Sequence, residues 1–227
     1  MSSTSRGAVR AENDTYFTKY PVALAICERL RADGLIRSPA HILEPSAGKG
    51  SFLVAMRDTW PEARVTGVDI NTSLVLPEHK ASVWGKKLPE LEQADFLGYP
   101  GIAGGFDAIL GNPPYADAES HIVHAVKLLS ERPWSYVVFL LRLNILGGVA
   151  RQAGFYRVHK PRYVFILDKR PSFQDDNSTD SCEYAVILWG RPSREPFDTI
   201  QRTLPWRTPY FFDWEYTPQK KAKRESV

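Results

Sequence analysis

Apolar positions along the chain switch between two spacings, and the switches mark out its elements. Val22, Leu24, Ala25, Ile26 and Leu30 recur at helical spacing behind Pro21, which suits a first helical turn; Gly34 closes that helix. Short apolar runs at 41–45, 64–70 and 106–110 read as buried strands, and a helix is predicted from 51 to about 60. Ala94, Asp95, Phe96 and Leu97 read as the end of a third strand, while 71–93 carries no clear period. Helical spacing returns over 120–130 through Ile122, Val123, Val126 and Leu129. The run 134–143 is the most apolar in the chain and predicts a central strand, buried on both faces. A short helix is expected at 147–155, strands at 161–167 and 182–189, and a polar loop at 168–180. From 192 onward, five prolines and many aromatics leave little period.

Strand and helix alternate through most of this series. That pattern predicts an α/β fold: a mostly parallel sheet with helices on both faces. The last two strands, joined without a helix, are expected to form an antiparallel edge pair. The chain divides into a disordered stretch at 1–14, a domain at 15–191 and a Pro- and aromatic-rich extension at 192–227 that ends in a basic tail.

Composition narrows the picture. A chain of 227 residues with 43% hydrophobic and 24% charged residues fits one soluble globular domain. No apolar run is long enough to span a bilayer, and the polar N-terminus lacks the apolar centre of a secretory signal. A cytoplasmic protein without a membrane partner is expected. Cys27 and Cys182 are then reduced thiols. The five histidines form no ligand set with them, so no metal is expected; His121 and His124 read as a solvated helix face. The net charge is +3, and the stretch 220–225 alone carries four positive charges and one negative. The rest is near neutral, and that tail offers weak, salt-sensitive attraction to nucleic acid.

The chemistry sits where strands end, the place where open parallel sheets bind ligands. After 106–110 comes Gly111-Asn112-Pro113-Pro114-Tyr115. Two prolines force the chain out of the strand, and the residue before a proline is held extended, so Asn112 is presented stiffly. An exocyclic NH2 on a planar ring is a poor nucleophile because its lone pair is conjugated. The Asn112 side-chain oxygen and the Pro113 carbonyl can accept its two hydrogens while Tyr115 stacks on the ring. Such help is positioning and electrostatics, since Asn is not a base. After 41–45 comes Ser46-Ala47-Gly48-Lys49-Gly50, whose glycines let backbone approach a ligand at a helix start. It matches neither the phosphate loop nor the dinucleotide pattern. Asp69 ends the second strand and suits both hydroxyls of a ribose. Asp95 and Phe96 suit an adenine amino group and ring face.

Taken in order, EPSAGKGSF, GVDI, ADF and NPPY resemble the motifs of S-adenosylmethionine-dependent amino methyltransferases, most closely the N6-adenine DNA methyltransferases. TYFTKYPVA resembles the segment that closes over the methionine end of their cofactor, with Lys19 where proline is commoner. The resemblance covers roughly 15–190 and implies a Rossmann-like class I methyltransferase fold with S-adenosyl-L-methionine as cofactor. It implies that Thr15, Tyr16 and Phe17 contact the methionine end. Glu44 would anchor that end, with Gly48 and Gly50 giving backbone approach. Asp69 would hold the ribose, and Asp95 with Phe96 the adenine. Asn112, Pro113 and Tyr115 would hold the target, and Phe173 would take the other face of a flipped base.

The resemblance implies DNA as partner and methyl transfer to adenine N6 after base flipping. Sequence choice has only 168–180 and 192–227 to draw on. That shortage points to relaxed specificity or a separate specificity subunit. Arg191, Arg194, Arg202 and Arg207, with Trp206, Tyr210, Phe211, Phe212 and Trp214, are candidates for phosphate contact and stacking. Three alternatives stay open: an RNA adenine methyltransferase, a protein glutamine methyltransferase and a catalytically silent nucleic-acid-binding subunit.

Overall fold

The computed structural model describes residues 17–39, 41–71, 89–173, 181–191 and 198–204. In chain order its elements are α1 (Tyr20–Ala32), β1 (His41–Glu44), α2 (Ser51–Thr59), β2 (Arg64–Asp69), β3 (Glu90–Gln93), β4 (Ala108–Gly111), α3 (Ala118–Leu128), β5 (Tyr136–Arg142), α4 (Val149–Ala153), α5 (Phe155–Val158), β6 (Tyr163–Leu167), β7 (Tyr184–Trp189) and β8 (Ile200–Leu204). Pro21 occupies the first turn of α1, where its missing N–H leaves no bond unmade. Gly50, at φ 77°, forms the N-cap of α2.

The strands form one sheet in the order β3-β2-β1-β4-β5-β7-β6-β8. β7 runs antiparallel to both neighbours, β5 and β6, and every other pair is parallel. The chain starts at β1, moves outward to β3, then returns to β4 on the other side. The order therefore reverses between β1 and β4, and the carboxyl ends of those strands flank the crevice.

Alternate residues of the central strands feed two cores. Ile42, Ala108, Leu110, Val138 and Leu140 face the side of α1 and α2, packing with Leu30, Phe52, Leu53 and Met56. Leu43, Ile109, Val137, Phe139 and Leu141 face α3, packing with Ile122, Ala125 and Leu129. This period of two, buried on both faces, is the signature of a central parallel sheet. Gly67 lets α2 lie close to β2: a Cβ there would come within 2.9 Å of Leu53.

Three expectations need correction. The antiparallel pair is present but not at the edge, because β7 inserts beside β5 and β8 covers β6 on the far side. Little period was expected beyond 192, yet β8 lies there; only its Leu204 is buried, so the polar Ile-Gln-Arg-Thr pattern hid it. His121 and His124 do not form a solvated face. His121 is 5% exposed, because the 3-10 turn Phe96–Gly98 brings Phe96 over both rings. Among the described residues no helix is long and apolar enough to cross a membrane.

Candidate active site

Along the carboxyl ends of β1, β2, β3, β4 and β5 runs a single cleft of about 1000 Å³. One half is built by Phe17, the loop after β1, the end of β2 and the turn after β3. The other half is built by Asn112, Pro114 and Tyr115 after β4, and by Leu141, Arg142, Asn144 and Ile145 at the end of β5.

The first half is tied together by one carboxylate. Asp69 Oδ2 accepts the backbone N–H of Gly48 at 2.7 Å, and Oδ1 accepts that of Asn71 at 2.8 Å. Gly48 sits at φ 51°, and a Cβ there would stand 3.0 Å from the Phe17 ring. Glycine is thus required both for conformation and for close approach. The Lys49 ammonium lies 4.8 Å from the centroid of the same Phe17 ring. Asp95 caps the turn that follows β3, accepting from the Leu97 N–H at 3.0 Å. Phe96 lines the cleft while its ring packs against His121 and His124. Burial lowers the pKa of His121, so its imidazole stays neutral.

Glu44 lies directly before the cleft wall at Pro45 and is 2% exposed. Its Oε2 has no hydrogen-bond partner among the described residues. Burial, reinforced by the nearby Asp69 charge, pushes its pKa well above the usual carboxylate range. A buried, unpartnered carboxylate oxygen of this kind calls for a cationic or donor group beside it. The ammonium of a methionine moiety is such a group, and Asp69 and the Gly48 backbone suit its nucleoside. The cleft residues therefore fit an adenosylmethionine ligand.

The second half turns on Asn112. Gly111 permits the β4 end to touch the β1 loop: an added Cβ would lie 3.2 Å from Pro45 Cδ. The Asn112 and Tyr184 side chains both adjoin Tyr115, whose ring lies 5.9 Å from that of Tyr184. Burial, then the neighbouring Tyr184, raises the Tyr115 pKa far above its usual value, so its hydroxyl keeps its proton. The Arg142 guanidinium carbon lies 4.8 Å over the Tyr115 ring, and its Nε donates to the Tyr184 hydroxyl at 3.2 Å. Arg151 donates to Glu119 at 2.6 Å, linking the segment after β5 to α3.

Of the residues predicted from sequence, Phe17, Gly48, Asp69, Asp95, Phe96, Asn112 and Tyr115 line the cleft together. Glu44, Gly50 and Pro113 are not among the lining residues, though each adjoins one in sequence: Pro45, Lys49, and Asn112 with Pro114. Phe173 is not among the lining residues; its ring packs on Tyr184 at 5.1 Å, and Tyr184 lies 5.9 Å from Tyr115. Thr15 and Tyr16 lie outside the described residues, as do Arg194, Arg207 and the aromatics from 206 onward. Arg202 reaches Asp33 of α1, and Arg191 donates to the Leu129 carbonyl at 2.9 Å. Sequence reasoning missed Arg142, Asn144 and Arg151. The available signal was the first polar residue after the most apolar run, which must sit at a strand's carboxyl end.

No family model matches the chain. It is similar to the ribosomal RNA small subunit methyltransferase H of Crocosphaera subtropica, at 29% identity over 89 residues, 38% of this chain and 28% of the relative. It is also similar to the modification methylase CviBIII of Paramecium bursaria Chlorella virus NC1A, at 31% identity over 105 residues, 44% of this chain and 26% of the relative. The chain spans about a quarter of the length of these curated relatives. Among solved structures, a Listeria monocytogenes protein assigned to the class I S-adenosylmethionine-dependent methyltransferases superposes with a TM-score of 0.60 at 15% identity, covering 87% of this chain and 68% of its own. The methyltransferase subunit of a type I restriction-modification system from Streptococcus thermophilus does so with a TM-score of 0.60 at 18% identity, covering 79% and 45%. The fold is the Rossmann-like class I methyltransferase fold.

Proposed function

We propose that this chain binds S-adenosyl-L-methionine and methylates the N6 amino group of adenine in DNA. The observation that carries the reading is one cleft shared by two sets of groups: Asp69, Gly48, Asp95 and Phe96 on one half, Asn112 and Tyr115 on the other. The names of the viral modification methylase and of the restriction-modification subunit support a DNA substrate.

When bound, S-adenosylmethionine supplies the methyl group on an activated sulfur. Asp69 takes the ribose hydroxyls while its backbone bonds keep the Gly48 loop in place. Glu44 balances the ammonium, and Asp95 with Phe96 receives the adenine. On the acceptor half, the Asn112 side-chain oxygen and the Pro113 carbonyl accept the two N6 hydrogens, which frees the nitrogen lone pair. The bound cofactor would supply its methyl group to that nitrogen, and one N6 proton would pass to solvent. Tyr115, kept neutral, stacks on the base beside Asn112. Phe173 backs the acceptor half indirectly, packing on Tyr184, which in turn lies beside Tyr115. Extraction of the base from a duplex costs a few kcal/mol, which stacking of about 1–3 kcal/mol per ring offsets. Sequence choice is either short and relaxed or shared with a separate specificity subunit.

Sequence similarity to a ribosomal RNA small subunit methyltransferase supports RNA as the second reading. Tritiated-methyl transfer onto unmethylated DNA, RNA and protein extracts, with nucleoside analysis, separates them. N6-methyladenine in DNA is expected; label only in RNA or only in protein glutamine overturns the DNA assignment.

A further inference from the structure

His121 lines the cleft although it is only 5% exposed. It stands on α3, and its ring packs on that of Phe96 at a centroid distance of 5.4 Å. Its Nδ1 lies 3.0 Å from the Asp117 carbonyl oxygen, one helical turn earlier. A carbonyl oxygen only accepts, so Nδ1 carries the proton of the neutral ring. Burial keeps a second proton off, outweighing Asp117 and Asp95, which favour it; His124 opposes it as well. Nε2 is therefore a bare acceptor, and among the described residues it makes no hydrogen bond.

An acceptor so nearly buried is costly unless a ligand brings it a donor. The backbone donors around it are spent: the Gly48 and Asn71 N–H groups go to Asp69, and that of Leu97 goes to Asp95. The cofactor offers three sets of donors. Its ammonium is matched by Glu44 and its ribose hydroxyls by Asp69. Its adenine carries an exocyclic amino group with two hydrogens, of which Asp95 takes one. The second needs another acceptor in the same corner, and His121 stands there: Phe96, next to Asp95 in the chain, packs on its ring, and the Asp95 charge acts on it. Asp117 also lines the cleft, but it is exposed, so water already satisfies its carboxylate.

We infer that His121 reads the cofactor's adenine, its Nε2 accepting one hydrogen of the exocyclic amino group while Asp95 accepts the other. This rests on the placement of the adenine at Asp95 and Phe96. With Nδ1 tied to the backbone, Nε2 has no proton to give. A purine with an oxo group in place of the amine meets an acceptor where it needs a donor. His121 is thus a specificity-determining residue of the cofactor half, selecting adenosyl over inosyl groups.

The test is calorimetry on the full chain with S-adenosylhomocysteine, against the same ligand with hydrogen in place of the exocyclic amino group. Wild-type protein should prefer the amino ligand. His121→Phe keeps an aromatic ring against Phe96 and removes Nε2. It should weaken S-adenosylhomocysteine binding roughly three- to tenfold, the scale of one neutral hydrogen bond, and leave the amine-free ligand nearly unaffected. An equal loss for both ligands marks a merely structural role and overturns the inference. Nitrogen NMR of histidine-labelled wild-type protein needs no variant, so a poorly folded His121→Phe does not protect the proposal. The unprotonated Nε2 signal of His121 should move with S-adenosylhomocysteine and stay in place with the amine-free ligand; a signal that answers both ligands alike overturns the inference. Equal wild-type affinity for the two ligands overturns the placement of the adenine and this inference together. A wild-type preference that His121→Phe leaves intact removes only the role of His121.

Discussion

Asp69 and Gly48 are joined by a 2.7 Å hydrogen bond that spans two strands: the last residue of β2 accepts from the loop that follows β1. One carboxylate thus shapes the loop and faces the ligand it would bind. Asp69→Ala should lose both effects. Charge-assisted hydrogen bonds are worth about 1.5–3 kcal/mol, so calorimetry should find S-adenosylmethionine binding roughly ten- to hundred-fold weaker. Asp69→Asn keeps one acceptor oxygen and should fall between. Equal affinity in all three proteins would dissociate this residue from the ligand.

Glu44 sets stability against function. Its folded pKa is raised from the ordinary 4.5, mainly by burial. The folded state therefore holds the proton more tightly than the unfolded chain. The sign follows: stability is full below pH 4.5 and declines as pH rises through the folded pKa. Glu44→Gln removes that decline. Its melting temperature should exceed wild type at pH 7–8 and converge with it near pH 4, while cofactor affinity drops. A melting difference independent of pH would refute the charge argument.

Asn112→Ala should abolish methyl transfer and leave cofactor binding nearly intact, because the side chain lies on the acceptor half. Parallel radiometric and calorimetric assays read the two separately. Near wild-type transfer would strip Asn112 of its catalytic role.

Gly111→Ala inserts a methyl 3.2 Å from Pro45 Cδ, where backbone-linked ring atoms cannot step aside. Overpacking of this kind costs about 1–3 kcal/mol. The denaturant midpoint should fall accordingly, and cofactor affinity should fall too as the β1 loop is pushed outward. A midpoint unchanged from wild type would show that the two strand ends have slack.

The central strands were legible because burial on both faces leaves an unmistakable apolar run, as at Tyr136–Arg142. The cleft residues were legible for a related reason: polar and glycine residues that abruptly end such runs have few structural uses. The flanking strands were not. Glu90–Gln93 is exposed or half-buried throughout, and Ile200–Leu204 buries one residue, so neither carries a period of two. Their identity comes from pairing with β2 and β6, a long-range fact. His121 was misread for a similar reason, since its cover arrives from a turn more than twenty residues earlier. Phe173 illustrates the remaining limit: an aromatic in a loop can be placed near a site by likeness, but its contact with Tyr184 depends on how the loop lands.

The strands hidden by their polarity are also the two margins of the sheet among the described residues. An open sheet offers unpaired backbone at its two margins, where another chain can add on and begin a fibre. Here one margin is the short strand Glu90–Gln93, whose Glu90 is taken by Arg64 at 2.6 Å. The other is Ile200–Leu204, whose Arg202 is pulled onto Asp33 of the first helix and across the Tyr163 and Phe165 rings. Both margins are brief and carry charged side chains, which disfavour the addition of another strand. Replacing Glu90, Glu92 and Arg202 by valine would sharpen the sequence pattern of these strands and, by the same stroke, strip both margins of the charges that oppose such addition.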